Sequence, residues 1–249
     1  MTLIEFIGCT GAGKSTLTGR LLRQCRDRDL DAWMGYDFVL RQVRLEWVKG
    51  RAPRGLIVSL VALCACLATW RSNRQFFRFV FQAIWRLPAE VAWLEKLDIC
   101  RNVLKNIGIY EIIRRRAGDR QVVLLDEGPL QTAHYLFVHV SVEPNMADLA
   151  TFIGLAPLPD AVVYVTESEA VLAERTLARG HKRIPAGSQA HVRRFVRRAV
   201  EVFDSLAQRL ALAGGLLVVE NGRARVAGLA EPDDRPLALA LQMALLLED

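Results

Sequence analysis

Five apolar runs punctuate the chain, at Leu3 to Ile7, Asp31 to Gly35, Gln121 to Leu125, Ala161 to Val165 and Leu216 to Val219, and stretches with helical periodicity separate them. Four of the runs are almost wholly apolar, as strands covered on both faces require. Such alternation predicts an α/β fold, a three-layer parallel sheet with helices on both sides. About eighty residues lie between the second and third runs, against the dozen or so that a crossover needs. The excess predicts an all-helical insertion over residues 50–118, inside a single domain spanning 1–249. Its last helix, Ala89 to Arg116, ends in Arg114-Arg115-Arg116-Ala117-Gly118, a basic turn followed by glycine that complements the helix dipole or binds phosphate. After the fourth run, Thr166-Glu167-Ser168-Glu169 reads as a capping box opening a helix to Arg179. Residues Phe38 to Trp47 read as a helix, Arg223 to Arg235 as a polar loop and Pro236 to Leu247 as a closing helix.

Within the insertion, Leu56 to Trp70 carries no charge, yet it is shorter than the ~20 residues of a membrane span. The following helix sets Arg74, Arg78, Gln82 and Arg86 in a polar stripe against Phe76, Phe77, Phe79, Phe81, Ile84 and Trp85. A basic stripe beside bulky aromatics is the pattern of an interfacial helix, so residues 56–86 are a candidate membrane surface. A hairpin packed over the core, a self-associating homodimer face or a site for the apolar part of a substrate would read the same way.

Composition narrows the classes. A 249-residue chain, 52% hydrophobic, cannot be disordered. Its charge of +6, mostly from arginine, suits phosphate or an anionic membrane surface. Nucleic acid is an unlikely partner, since neither zinc-finger spacing nor a ribonucleoprotein motif occurs. Cys9, Cys25, Cys64, Cys66 and Cys100 form no C-x-x-C pair, which favours a reducing cytoplasm over a disulfide framework. Because the first apolar run starts within a few residues of Met1, no cleavable leader is expected.

The chemistry begins at Gly8-Cys9-Thr10-Gly11-Ala12-Gly13-Lys14-Ser15, which matches G-x-x-x-x-G-K-S/T between an apolar strand and the helical Leu17, Leu21 and Leu22. Backbone N–H groups of such a turn surround phosphate oxygens, and the helix opening at Lys14 adds its positive end. Lys14 is placed to meet the β- and γ-phosphates of ATP, and the Ser15 hydroxyl to join a Mg²⁺ shell, with Thr16 as a second hydroxyl. The third run ends in Asp126-Glu127-Gly128, a Walker B pattern whose acids fall at the carboxyl end of the sheet, where ligands bind. Asp126, first off the strand, suits the metal, while Glu127 suits an acceptor proton. Asp37, after Trp33-Met34-Gly35-Tyr36, is either a general base or an N-cap. Arg175, Arg179 and Arg183 recur every four residues into Gly180-His181-Lys182-Arg183-Ile184-Pro185, so that residues 180–190 read as a lid loop. Three cations in line can neutralise a transferring phosphoryl group, although Arg193, Arg194, Arg197 and Arg198 extend the same basic face into solvent in the alternative reading. His134 and His139 lack the spacing of a metal site.

With loop, acidic strand end and arginine row in that order, the chain resembles the P-loop kinases of the nucleoside and nucleotide kinase group, thymidylate kinase-like proteins first and adenylylsulfate kinase second. The resemblance spans Met1 to Lys49 and Gln121 to about Asn221, leaving the insertion uncovered. It implies the strand order 2-3-1-4-5, an ATP site at Gly8 to Thr16, a lid entered through Glu174 to Gly180, an adenine-side turn at Val218 to Gly222 including Asn221, and an acceptor-facing acid at Asp37. Family members usually follow the acid of the third strand with an arginine for a substrate phosphate, whereas this chain has Asp126-Glu127-Gly128. That departure points to an uncharged or lipid-linked hydroxyl acceptor. The implied activity is transfer of the γ-phosphoryl group of ATP to a small-molecule or glycolipid hydroxyl, with a nucleoside or nucleotide kinase as one alternative and a membrane-associated switch or energy-coupling NTPase as another. The implied location is the cytoplasm, or the inner face of the membrane.

Overall fold

The structure, a computed structural model, describes residues 1–180, 184, 188–213, 216–220 and 223–227. Its sheet contains β1 (Thr2–Ile7), β2 (Ala32–Met34), β3 (Val122–Leu125), β4 (Ala161–Thr166), β5 (Leu216–Glu220) and β6 (Arg223–Ala227). The spatial order is β2-β3-β1-β4-β5-β6; the first five strands are parallel, and β6 is antiparallel to β5. This is the P-loop fold with the 2-3-1-4-5 order of nucleoside and nucleotide kinases, extended by one edge strand. Residues 223–227 therefore differ from the expected loop: they form a strand paired antiparallel with β5, from Leu216↔Ala227 to Glu220↔Arg223. The expected closing helix, Pro236 to Leu247, lies outside the described residues.

Helices α1 (Lys14–Asp27), α2 (Gly35–Gln42), α3 (Arg51–Ala68), α4 (Arg74–Arg86), α5 (Trp93–Arg116), α6 (Thr132–Phe137), α7 (Met146–Leu155), α8 (Glu169–Arg179) and α9 (Gln189–Ala213) complete the described elements. They divide the core in two. Phe6, Ile7, Phe195 and Phe203 belong to the larger cluster, and Leu3, Phe38, Val58, Ala62 and Ile113 to the smaller one. Ser168 caps α8 by accepting from Val171 N at 3.4 Å, so the helix starts at Glu169. The second helix begins at Gly35, not at Phe38, and ends at Gln42.

The insertion is helical as expected, and α5 is its spine, with Ile99, Val103, Ile107 and Ile113 fully buried. Helix α3 lies against α5 so closely that a Cβ at Gly108 would fall 1.9 Å from Ala62 O. Val58, Ala62 and Cys66 form the inward side of α3. On α4, Phe76, Phe77 and Val80 are core, whereas Trp85 is 77% exposed. The aromatic residues of α4 are thus split between core and surface.

Candidate active site

The sheet order reverses around β1: the chain leaves it toward β2 on one side, and later passes from β3 to β4 on the other. A crevice opens at the carboxyl ends of strands at such a switch point. Both the phosphate loop after β1 and the acids after β3 are delivered there.

Gly13 precedes α1 with φ +95°, a left-handed conformation that a side chain would strain. Gly8 is required for another reason, because a Cβ there would lie 2.2 Å from Val165 O on β4. The Lys14 ammonium donates to Gly8 O at 2.6 Å and to Cys9 O at 2.9 Å, so the loop's own carbonyls hold it. Loss of water lowers its pKa to about 8, and the nearby acids Glu127 and Asp126 oppose that shift. Burial pushes the Cys9 thiol up to about 12, so Cys9 is a neutral wall of the loop and not a nucleophile.

Gln131 is a residue that sequence reasoning missed. Its Oε1 accepts from Gly8 N at 3.1 Å and its Nε2 donates to Gly8 O at 3.2 Å, clamping both polar groups of the first loop glycine. Its own N–H donates to Glu5 Oε1 at 2.8 Å. Glu5 is wholly buried within β1, and burial pushes its carboxyl up to about 8 against the hydrogen bonds it accepts. Glu5 Oε2 and Asn106 Oδ1 are buried without a hydrogen-bond partner among the described residues. The Glu5 carboxyl also bars any side chain, an arginine included, from position 128, since a Cβ at Gly128 would lie 2.5 Å from its Cδ.

One cavity of about 930 Å³ gathers the site. The phosphate loop from Cys9 to Thr16, Asp126, Glu127, Arg175 and Arg179 all line it. Asp126 is held above the usual carboxylate range, first by burial and then by the adjacent Glu127. Arg175 donates to Gly11 O at 3.1 Å and Thr176 to Thr10 O at 3.4 Å, which moors α8 to the loop. Arg183, the rest of the 180–190 lid apart from Gly180, Ile184 and 188–190, and Asn221 lie outside the described residues.

Asp37 is not brought to this cavity. It sits in the first turn of α2, whose N-cap is Met34, and pairs with Arg54 of α3. The N-cap alternative for Asp37 is therefore corrected: a helix that starts at Gly35, three residues before Phe38, leaves it inside the first turn, where the dipole still favours a carboxylate. The preceding residue, Tyr36, lines the cavity instead. Arg198 also departs from the solvated basic face, being 4% exposed and donating to His139 O at 2.8 Å and Val140 O at 2.6 Å while pairing with Glu143.

The far side of the cavity is supplied by the insertion. Arg51 comes from α3; Arg101, Asn102 and Lys105 come from α5. Lys105 Nζ lies 3.4 Å from Glu127 Oε2 and 5.4 Å from the Tyr36 ring centroid. Burial lowers its pKa, but Glu127 and Tyr36 outweigh burial and the net shift is upward, so it remains an ammonium. Positions 101, 102 and 105 fall at helical spacing on α5, but Glu95, Lys96, Asp98 and Glu111 on the same helix blur that signal in the sequence.

The site suits Mg²⁺. That ion takes hard oxygen ligands, typically one or two carboxylates with phosphate oxygens and water. Ser15 and Asp126 line the same cavity and supply a hydroxyl and a carboxylate, and two adjacent acids in a poorly hydrated position gain from a cation. No cluster of three or more His, Cys, Asp or Glu able to hold a metal by itself occurs among the described residues.

No family model matches the chain, and no curated protein matches it. Among solved structures it is similar to deoxyadenosine kinase from M. mycoides with products dCMP and a flexible dCDP bound, at 14% identity and a TM-score of 0.44, with 100% of both chains covered. It is also similar to shikimate kinase from Bacteroides thetaiotaomicron, at 11% identity and a TM-score of 0.39, covering 100% of this chain and 99% of that one. For shikimate kinase from Acinetobacter baumannii in complex with shikimate the values are 12% and 0.38, over 100% of this chain and 95% of that one. Likenesses this distant carry no weight for the chemistry, which is read from the residues of the cleft.

Proposed function

We propose that the chain is a kinase that transfers the γ-phosphoryl group of ATP to a hydroxyl of a small-molecule or glycolipid acceptor, with Mg²⁺ accompanying the nucleotide. The observation that carries this reading is the single cavity shared by the phosphate loop, the Asp126-Glu127 pair and cations from α3, α5 and α8. Phosphoryl transfer asks a protein for positioning and charge stabilisation, and these groups supply both. Lys14 exchanges its loop carbonyls for the β- and γ-phosphates. Ser15 and Asp126 would hold the metal, which when bound would offset the charge of the phosphates. Arg175 and Arg179, which line the same cavity, would face the transferring group.

Glu127 is favoured over Asp37 as the group that takes the acceptor's proton. Glu127 lines the cavity, whereas Asp37 is engaged by Arg54. Lys105 orients Glu127 through their ion pair at 3.4 Å. Together with Arg51 and Arg101 it also makes the acceptor side cationic, which suits a hydroxyl acceptor bearing an anionic group and supplies from the insertion the charge that Gly128 lacks.

The test is a screen of neutral and anionic alcohols, sugars and glycolipids with γ-labelled ATP and Mg²⁺. Label is expected in an anionic acceptor, with Lys14→Ala abolishing transfer in a folded protein. Labelled phosphate released only to water, whatever acceptor is added, would refute a kinase.

A further inference from the structure

Helix α3 turns its bulkier side outward. Leu56, Leu60, Leu63, Leu67 and Trp70 follow one another four, three, four and three residues apart, which is one face of a helix. All five are exposed, from 38% at Leu63 to 63% at Leu56. The 18-residue helix has a mean hydropathy of 1.6, yet only 17% of it is buried. Its small side is taken up by α5 through the Ala62–Gly108 contact, so the leucine face cannot turn inward.

The face continues beyond α3. Trp70 lies 5.8 Å from Phe81 of α4, and one turn further along, Trp85 meets Trp93 of α5 edge-to-face at 6.4 Å. Leu94 and Leu97 follow on α5, 78% and 47% exposed. Three helices thereby present one apolar band, larger than a solitary surface leucine accounts for.

Charge identifies what covers it. From Trp47 to Ala89, which holds the α3 and α4 part of the band, the chain carries Lys49 and six arginines and no aspartate or glutamate. Acidic residues, Glu90, Glu95 and Asp98, are confined to the α5 end, beside Lys96 and Arg101. Arg71, Arg74, Arg78 and Arg86 are exposed around the aromatic end of the band. A second copy of this chain would bring the same cations against one another across a two-fold axis. An anionic bilayer meets both demands at once, taking leucine and tryptophan side chains among its acyl chains and arginines among its headgroups.

We infer that the apolar band of α3, α4 and the start of α5 docks the protein on the surface of an anionic membrane. The helix lies in the interface and does not cross it, because its inward side stays packed on α5. The same elements reach the cleft, since Arg51 begins α3 and Arg101 stands one turn past Leu97 on α5, and both line the cavity. Docking therefore brings the acceptor side of the cavity close to the lipid surface. The inference rests on exposed side chains and charge, and holds whether or not phosphoryl transfer is the reaction.

The experiment is sedimentation of the full-length protein with phosphatidylcholine vesicles, with and without phosphatidylglycerol. Strong binding is expected only with phosphatidylglycerol, and it should weaken steeply near 1 M salt, where the Debye length shrinks to ~3 Å. The double variant Leu60→Ser and Leu67→Ser should bind at least ~tenfold more weakly, with its melting temperature nearly unchanged because both positions are exposed. Arg74→Gln with Arg78→Gln should abolish the preference for phosphatidylglycerol. Absence of binding to both vesicles, equal binding to the two, or a dimer in lipid-free solution that the leucine variant dissociates would each overturn the inference.

Discussion

At Lys14 the balance between water, loop carbonyls and phosphate becomes a measurable pH dependence. Its pKa, lowered to about 8 by lost hydration, means that the free protein sheds this proton a little above neutrality. A triphosphate binds the ammonium form, so ATP affinity should fall as pH rises above about 8, measured with a fluorescent ATP analogue, while Lys14→Arg should flatten the profile because guanidinium stays charged. Glu5 yields a stability counterpart. Its pKa, raised from 4.5 to about 8 in the fold, makes the folded state the stronger proton binder, so its stabilising protonation is complete below 4.5 and is lost as pH rises through 8. Glu5→Gln keeps the shape and removes the titration. The variant should therefore exceed the wild type in stability at about pH 9 by a few kcal/mol, read by urea unfolding, and the two should converge in acid. Equal pH profiles would show that Glu5 is not the titrating group. Asp126 and Asp37 divide in the same residue-level way: Asp126→Asn should raise the Mg²⁺ requirement, whereas Asp37→Asn should leave it unchanged and act through the lost Arg54 pair. How much of this was legible in the chain follows from distance along it. The loop from Gly8 to Ser15 is written in eight consecutive residues, and the Asp126-Glu127 pair in two. Gln131, Glu5 and Lys105 act only after β1, β3 and α5 have come together, and no local pattern marks that meeting.

Elements were legible where burial imposed a single period and ambiguous where it did not. The four apolar strands are covered on both faces and appear as plain runs, whereas β6, paired antiparallel with β5 alone, carries two arginines in five residues and gives no such run. Arg198 shows the corresponding limit for helices, because a row of arginines does not reveal that one of them turns inward to the carbonyls of His139 and Val140. On α4 the aromatic residues could not be sorted by type, since Phe77 and Trp85 read alike and are buried and exposed respectively. That split makes a prediction about the element. Phe77→Ser should cost ~3–5 kcal/mol, lowering the melting temperature sharply, because Phe77 stacks on Trp70 at 4.7 Å and fills the core. Trp85→Ser should change stability by less than ~0.5 kcal/mol. Comparable losses at both positions would mean that the α4 surface is covered in the free protein.

For the whole molecule, alternation of strands and helices announces a parallel sheet but not the order of its strands; here the 2-3-1-4-5 order came from resemblance, and the pairing of β1 with both β3 and β4 establishes it. That pairing matters because it joins separate parts of the chain in one ligand site. The phosphate loop follows β1, the acids follow β3, Val165 of β4 backs Gly8, and α8 is moored to Gly11 and Thr10. A nucleotide held there ties these parts together, and anything that binds only the folded state stabilises it by mass action. At a hundredfold excess over its Kd, a non-hydrolysable ATP analogue with Mg²⁺ should add ~2.7 kcal/mol, which for a chain of this size raises the melting temperature by roughly 5–10 °C. Gly8→Ala should abolish that rise, because its methyl group would displace the loop from Val165 O. Gln131→Ala should reduce it by releasing both clamps on Gly8 while leaving Lys14 and Ser15 in place. A full thermal shift in Gly8→Ala would show that the analogue binds outside the phosphate loop, and the cleft would then lose its claim to be the nucleotide site.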